Sequence, residues 1–240
     1  MDNNYKITKK SAADLVCEKM KELIINKTWT AGEKIPTEME LSHNFGVNRL
    51  TVRIALQRLN TLGLLDIRVG DGTYIKKFDL SSQISELAEF YISKETLNNV
   101  GEYRKVLEIG CLEAIIERYT EEELEHFRQL CEQFEQELEQ YYSETDPQQS
   151  EVHFRKTIDT SEALHTTLVS MAHNDLMTYA LALAREPMRR HMQFNASKRL
   201  DDLDSDQRNV WCKRWMQLYE ALRLKDKTKC HETLSQIIDI

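Results

Sequence analysis

Glycine and proline are scarce, 7 and 3 of 240 residues. Chains built from short strands and tight turns use both freely, so this scarcity excludes a turn-rich β architecture and favours long helices. The five cysteines, Cys17, Cys111, Cys131, Cys212 and Cys230, are odd in number and show no Cys-x-x-Cys pair. That argues against a zinc ribbon or a disulfide framework and fits a reduced protein. No apolar stretch approaches the roughly 18 residues of a membrane span. Behind Met1-Asp2-Asn3-Asn4 there is no basic start followed by an apolar run, so the expectation is a cytoplasmic protein with no membrane partner. A Gly-rich phosphate loop, Gly-x-Ser-x-Gly, His-Glu-x-x-His and any carboxylate pair distinct from the acidic background are also missing, and nothing here points to an enzyme.

The charge is unevenly spread. The whole chain carries −8, yet residues 1–78 hold 13 Lys and Arg against 9 Asp and Glu, a net +4, which leaves −12 on the rest. A basic head on an acidic body implies that only the head meets a polyanion. The expected domains are accordingly 1–78 and 79–240.

The head is punctuated. Apolar residues at Leu15, Val16, Met20, Leu23 and Ile24 have helical spacing and predict a first helix over 12–25. Trp29 to Gly32 reads as a loop. Pro36 then precedes Thr37-Glu38-Met39-Glu40, a capping box that opens a second helix carrying Leu41 and Phe45. Gly46 supplies the left-handed residue for a sharp turn, and Asn48 caps a third helix with Val52, Leu56 and Leu59 inward. Two β-prone runs flank Gly70-Asp71-Gly72 and predict a hairpin.

From Asp79 onward the pattern changes. Helical periodicity is nearly continuous over 82–95, 97–118, 120–142, 149–172, 174–195, 206–224 and 226–238. Breaks are expected at Asp146-Pro147 and across 201–205, and Pro187 should kink or split the fifth span. The fold class expected is mainly α: three helices and a small hairpin, then an antiparallel bundle of six or seven helices.

Helix, capped helix, glycine turn, helix and hairpin is the order of a winged helix-turn-helix. A major groove admits one helix, whose N-terminal residues reach base edges; here these are Asn48, Arg49, Leu50, Thr51 and Arg53. Arginine grips a guanine edge through two hydrogen bonds, while Asn48, Thr51 and the helix amides can hold phosphate. The slim Gly70 to Gly72 tip, with Arg68 beside it, suits a minor groove. The alternative for the arginines is ordinary solvated helix charge.

The fixed-spacing run Pro36-Thr37-Glu38-x-x-Leu41, Gly46-Val47-Asn48-Arg49-x-Thr51-Val52-Arg53-x-Ala55-Leu56-x-x-Leu59, Gly63-Leu64 and Gly70-x-Gly72-Thr73 resembles the DNA-binding domain of the GntR family. The resemblance covers about residues 11–77 and implies double-stranded DNA as partner, a palindromic operator, a homodimer, and Thr37 among the contacts. Asn48 stands where the family usually has serine or threonine. Met39 replaces an arginine that contacts DNA in some members, so that contact is dropped.

The helical remainder resembles the FadR-type (FCD) effector domain through Arg104-x-x-x-Glu108, Leu164-His165-x-x-Leu168, His173-Asn174-x-x-Met177 and Leu218-x-x-Ala221-Leu222. This implies a small-molecule effector, such as an organic or sugar acid, that modulates DNA binding. Many such domains hold a divalent metal with one acidic residue and three histidines. Here those positions read Ser161, His165, Trp215 and Ile237, so no metal and no other cofactor is expected, with His165 the only matching ligand. Asp159, Glu162, His173 and His191 are possible substitutes. Without a metal, a buried arginine would balance an anionic effector: Arg104 first, then Arg185 or Arg189, in a pocket shared with His165 and Trp215. The competing expectation is that Arg104 and Glu108 form only a structural ion pair at i, i+4 spacing. The runner-up reading of the whole chain is a ligand-independent DNA-binding regulator or interaction module with a degenerate pocket.

Overall fold

The structure, a computed structural model, describes residues 10–202 and 212–238. The chain divides into two compact units, Met1–Gln83 and Ile84–Ile240.

The first unit packs three helices and a hairpin. Helix α1 (Ala12–Ile25) starts on a capping box between Ser11 and Asp14, and α2 (Glu38–Phe45) on the expected one between Thr37 and Glu40. Gly46 then takes φ 64°, the left-handed turn required of it. Helix α3 (Arg49–Thr61) follows at once, capped by Asn48, whose side chain accepts from the Thr51 amide at 2.8 Å. Strands β1 (Leu65–Arg68) and β2 (Gly72–Ile75) pair antiparallel with Leu65 opposite Ile75 and Arg68 opposite Gly72. Val16, Met20, Leu41, Val52, Leu56, Leu59, Leu65 and Ile75 close the core. Leu15 does not join them: it is exposed, while Ala13 and Cys17 turn inward. The segment after Trp29 also differs from a plain loop. The Ile35 amide donates to Thr73 and the Ile75 amide to Glu33, both at 2.9 Å, so this stretch lies along the outer edge of β2 and braces the hairpin.

Among the described residues, the second unit contains seven helical runs, in keeping with the expected bundle. They begin with α4 (Leu80–Tyr91) and α5 (Lys94–Arg104). Periodicity placed this break near residue 96. It falls at Ile92-Ser93 because the Ser93 side chain caps the Thr96 amide at 3.2 Å, and the Thr96 hydroxyl donates back to the Tyr91 carbonyl at 2.9 Å. Helix α5 continues through a π-type turn, Lys105–Ile109, into α6 (Gly110–Arg118) without a break. Next come α7 (Glu121–Ser143), α8 (Pro147–Ser170), which starts at the anticipated Asp146-Pro147 break with Asp146 as its cap, and α9 (Asp175–Asp202). Pro187 lies inside α9 but does not split it. The break expected at 201–205 falls largely outside the described residues. Helices α10 (Arg214–Arg223) and α11 (Lys227–Ile238) complete the unit.

Helix α7 packs along α8, α8 along α9, α9 against α5, and α10 against both α7 and α11. Their shared core gathers Ile115, Phe127, Phe134, Leu138, Ile158, Leu164, Leu168, Leu218 and Leu234. Phe127 is fully buried and meets the Trp215 ring edge-on, with centroids 6.0 Å apart. Replacing Phe127 with Ala should remove roughly 3–5 kcal/mol from the unfolding free energy of this unit. A urea unfolding curve read on the purified protein measures this, and a loss below about 1 kcal/mol would show that the core repacks around the gap.

Candidate functional site

Two constellations carry chemistry, one in each unit. In the first, the N-terminal end of α3 projects polar and apolar side chains outward. Arg49 and Arg53 keep 63% and 52% of their side-chain surface exposed. Leu50 is 64% exposed between them. Asn48 and Thr51 bond one another, Oγ1 to Oδ1 at 3.0 Å, so both sit at the helix mouth where backbone amides point out. The Thr37 hydroxyl is engaged in its own capping box, donating to Glu40 at 2.8 Å. Helical spacing thus brings Asn48, Arg49, Leu50, Thr51 and Arg53 together.

Sequence reasoning missed Glu38. From the first turn of α2 its carboxylate accepts from Arg53 Nε at 2.9 Å and Nη2 at 2.7 Å, and the same Oε2 lies 3.8 Å from Arg49 Nη2. The Arg53 hydrogen bonds hold the Glu38 carboxyl below its usual range, against the opposing effect of partial burial. Fifteen residues separate Glu38 from Arg53, and no local periodicity announces such a pair. Arg58, further along α3, pairs instead with Asp14 of α1.

In the hairpin, Gly70 and Gly72 take φ 80° and 153°, backbone that L side chains rarely enter. Arg68 lies over the Tyr74 ring, 4.2 Å from its centroid, and donates to Asp66 at 2.8 Å. Asp71, at the tip, accepts from Lys34 at 3.2 Å and from the Tyr74 hydroxyl at 3.0 Å. The tip is thus locally charge-balanced, with a fully exposed Val69 beside Gly70.

The second constellation is buried. Arg104, Glu108 and His165 are all nearly inaccessible within a largely apolar core. Arg104 Nε donates to Glu108 Oε1 at 2.9 Å. His165 Nδ1 donates to Glu108 Oε2 at 2.6 Å, which leaves Nε2 to accept from Arg104 Nη2 at 2.5 Å. Burial works to raise the Glu108 carboxyl, but His165 and Arg104 outweigh it and keep the group ionised. For His165, burial and the adjacent Arg104 charge together outweigh Glu108 and lower the imidazole, so it stays neutral. The Trp215 ring stands edge-on to His165, centroids 4.6 Å apart. The π-type turn carries Glu108 itself; such turns recur at functional sites because the extra residue re-aims its neighbours.

Arg104, His165 and Trp215 therefore meet as expected, and the i, i+4 pair of Arg104 with Glu108 also forms. Arg185 and Arg189 do not join them. Arg185 pairs with Glu162, and Arg189 with Glu162 at 2.9 Å and Asp159 at 2.5 Å, along the seam between α8 and α9. Two flanking carboxylates on α8 were enough to capture them.

The donor set does not fit a metal. Ser161, Trp215 and Ile237 offer no strong ligand, and both ring nitrogens of His165 face protein partners. Asp159 and Glu162 are bound to arginines, and His173 to Glu123 at 2.9 Å. Among the described residues no three His, Cys, Asp or Glu gather as an ion would require.

Comparison with known proteins agrees with this division. Residues 12–75 match the family model of bacterial regulatory proteins, gntR family, and residues 99–239 that of the FCD domain. The chain is 37% identical over 108 residues to the HTH-type transcriptional regulator LutR of Bacillus subtilis, covering 44% of this chain and 49% of LutR; it thus spans about half the length of that relative. It is 27% identical to the uncharacterized HTH-type transcriptional regulator YcbG of the same organism, over 94% of this chain and 86% of YcbG. Among solved structures, Streptococcus agalactiae GntR shares the fold with a TM-score of 0.67 at 21% identity, covering 94% of this chain and 96% of that one. The described helices include none long and apolar enough to cross a membrane. A capped helix-turn-helix with a braced hairpin, joined to a helical unit of FCD type, places this chain in the GntR family as a DNA-binding transcription regulator of its FCD branch.

Proposed function

We propose that this regulator binds a palindromic double-stranded operator as a cytoplasmic homodimer, and that a small anionic metabolite held at Arg104 in the helical unit modulates that binding. The observation that carries the effector reading is the buried centre itself. A charged pair inside an apolar bundle costs stability compared with packed hydrophobic side chains, and buried, strongly perturbed groups concentrate where ligands bind. Arg104 is held by Nε and Nη2, and its Nη1 donates to no described residue. A carboxylate reaching that edge completes the guanidinium's hydrogen bonding, with Trp215 as an apolar wall. The charge an ion would otherwise supply comes from Arg104, so the effector is bound without a metal. Effector binding then acts on the DNA-binding units as a coupling free energy between sites.

Exposed large apolar side chains on α4 and α9, among them Leu87, Phe90, Leu176 and Leu183, support association of the helical unit with a second copy. Two copies would set the α3 helices for half-sites about one turn of DNA apart.

Substituting Arg49 or Arg53 with Ala should weaken binding to a selected operator by about 1–3 kcal/mol while lowering random-sequence binding far less. Fluorescence anisotropy on both duplexes measures this, and equal losses on the two would reduce these arginines to general phosphate contacts.

A thermal-shift screen of small carboxylates tests the effector site. At least one should raise the melting temperature, the rise should survive prior treatment with a chelator, and Arg104→Gln should abolish it. Persistence of the shift in that variant would remove Arg104 from the site.

The neutral state of His165 also makes a pH prediction. In the unfolded chain its imidazole gains a proton below about pH 6.5, while the folded site resists it. Stability contributed by His165 is thus fully present above that pH and lost as the pH falls. Urea midpoints should drop more steeply between about pH 7.5 and 5.5 in the native protein than in His165→Gln; parallel slopes would mean that the buried ring takes up its proton no less readily than in the unfolded chain, and would remove this contribution.

A further inference from the structure

Glu38 presents a puzzle for a DNA-binding surface: it places a negative charge at the base of the recognition helix, where phosphates must approach. Its geometry resolves this. A guanidinium has two edges able to make paired hydrogen bonds, a side edge of Nε and Nη2 and an end edge of Nη1 and Nη2. Glu38 takes the side edge of Arg53, at 2.9 and 2.7 Å. Nη1 of Arg53 donates to no described residue, so the end edge faces outward, and it matches the O6 and N7 acceptors of guanine in the major groove.

The same carboxylate oxygen lies 3.8 Å from Arg49 Nη2. Arg49 and Arg53 are one turn apart on one helix face, where like charges repel. Glu38 sits between them and offsets that repulsion. Its side chain is 27% exposed against 52% for Arg53, so it anchors from beneath and leaves the arginine on the surface.

We infer that Glu38 is a positioning residue for sequence reading: it pins the side edge of Arg53 so that the end edge is presented to a guanine, gaining selectivity at some cost in general attraction for DNA. This rests on the DNA-reading role proposed above for Arg53. Two opposite effects follow. Removing the Glu38 charge strengthens binding to DNA of any sequence, because a phosphate-repelling group is gone and two arginines are released. It also weakens discrimination, because Arg53 is no longer held in one orientation. A residue that merely stabilised α2 would move both affinities in one direction.

The test uses the full-length protein, a duplex enriched by the unsubstituted protein from a random-sequence library, and a random-sequence duplex as reference. Binding is measured by anisotropy across a salt series. For Glu38→Gln we expect tighter binding to the reference duplex and a ratio of operator to reference affinity lower by about tenfold. In an Arg53→Ala background the same substitution should leave that ratio unchanged. A parallel change on both duplexes, including the joint loss a poorly folded variant would give, overturns the inference. So does a fall in the ratio that persists without Arg53. If the unsubstituted protein enriches no duplex at all, the DNA-reading assignment of α3 fails first and takes this inference with it.

Discussion

A carboxylate sealed from water must be neutralised by whatever lies beside it, and Glu108 organises the helical unit around that requirement. Its two oxygens take one hydrogen bond from Arg104, one turn earlier in the same helical run, and one from His165 of α8. Trp215 of α10 closes against the imidazole. Three segments distant in sequence are thereby set in register by one charge, and an uncompensated partner on any of them would be strongly destabilising. The apolar layers of Phe127, Leu164 and Leu218 supply most of the burial, but apolar contacts alone tolerate sliding. The polar centre does not, because its hydrogen bonds have direction.

The DNA-binding unit uses the same device at its surface. There Glu38 holds Arg53 through the guanidinium's side edge, much as Glu108 holds Arg104 through Nε. In each case the acid takes one edge of a cation and orients the remainder. The difference is the surrounding medium. The buried pair sits where the surrounding dielectric is low and charge interactions are strong, whereas the Glu38 pair is half in water, where its worth lies in orientation rather than energy.

Much was legible beforehand where the physics is local. Caps, the left-handed glycine and helical periodicity are short-range signals, so α1, α2, α3 and the hairpin appeared close to their observed bounds, and Asn48, Arg49, Leu50 and Arg53 fell on one exposed face. Failures had equally local or plainly tertiary causes. The break before α5 moved because a serine cap outweighed hydrophobic periodicity. Pro187 sits within a continuous helix, so of the two outcomes expected of it a split did not occur. Leu15 carries an apolar side chain in a helical pattern yet faces outward, since the partner surfaces of α1 are defined by α3.

What the sequence determined by itself was the order and type of the elements, the polarity of the α3 N-terminus, and the absence of strong ligand side chains at Ser161, Trp215 and Ile237. These follow from backbone preferences and from which side chains exist at all. Which charges meet was decided only in three dimensions. Arg104, Arg185 and Arg189 are chemically identical; Arg185 and Arg189 were drawn off by carboxylates across a helix seam, while packing brought His165 to the pair that Arg104 makes with Glu108 in its own helical run. Glu38 likewise became a partner of Arg53 only when the Gly46 turn folded α2 against α3. Pairing depends on distance in space, which a chain encodes through its whole packing rather than at any one position.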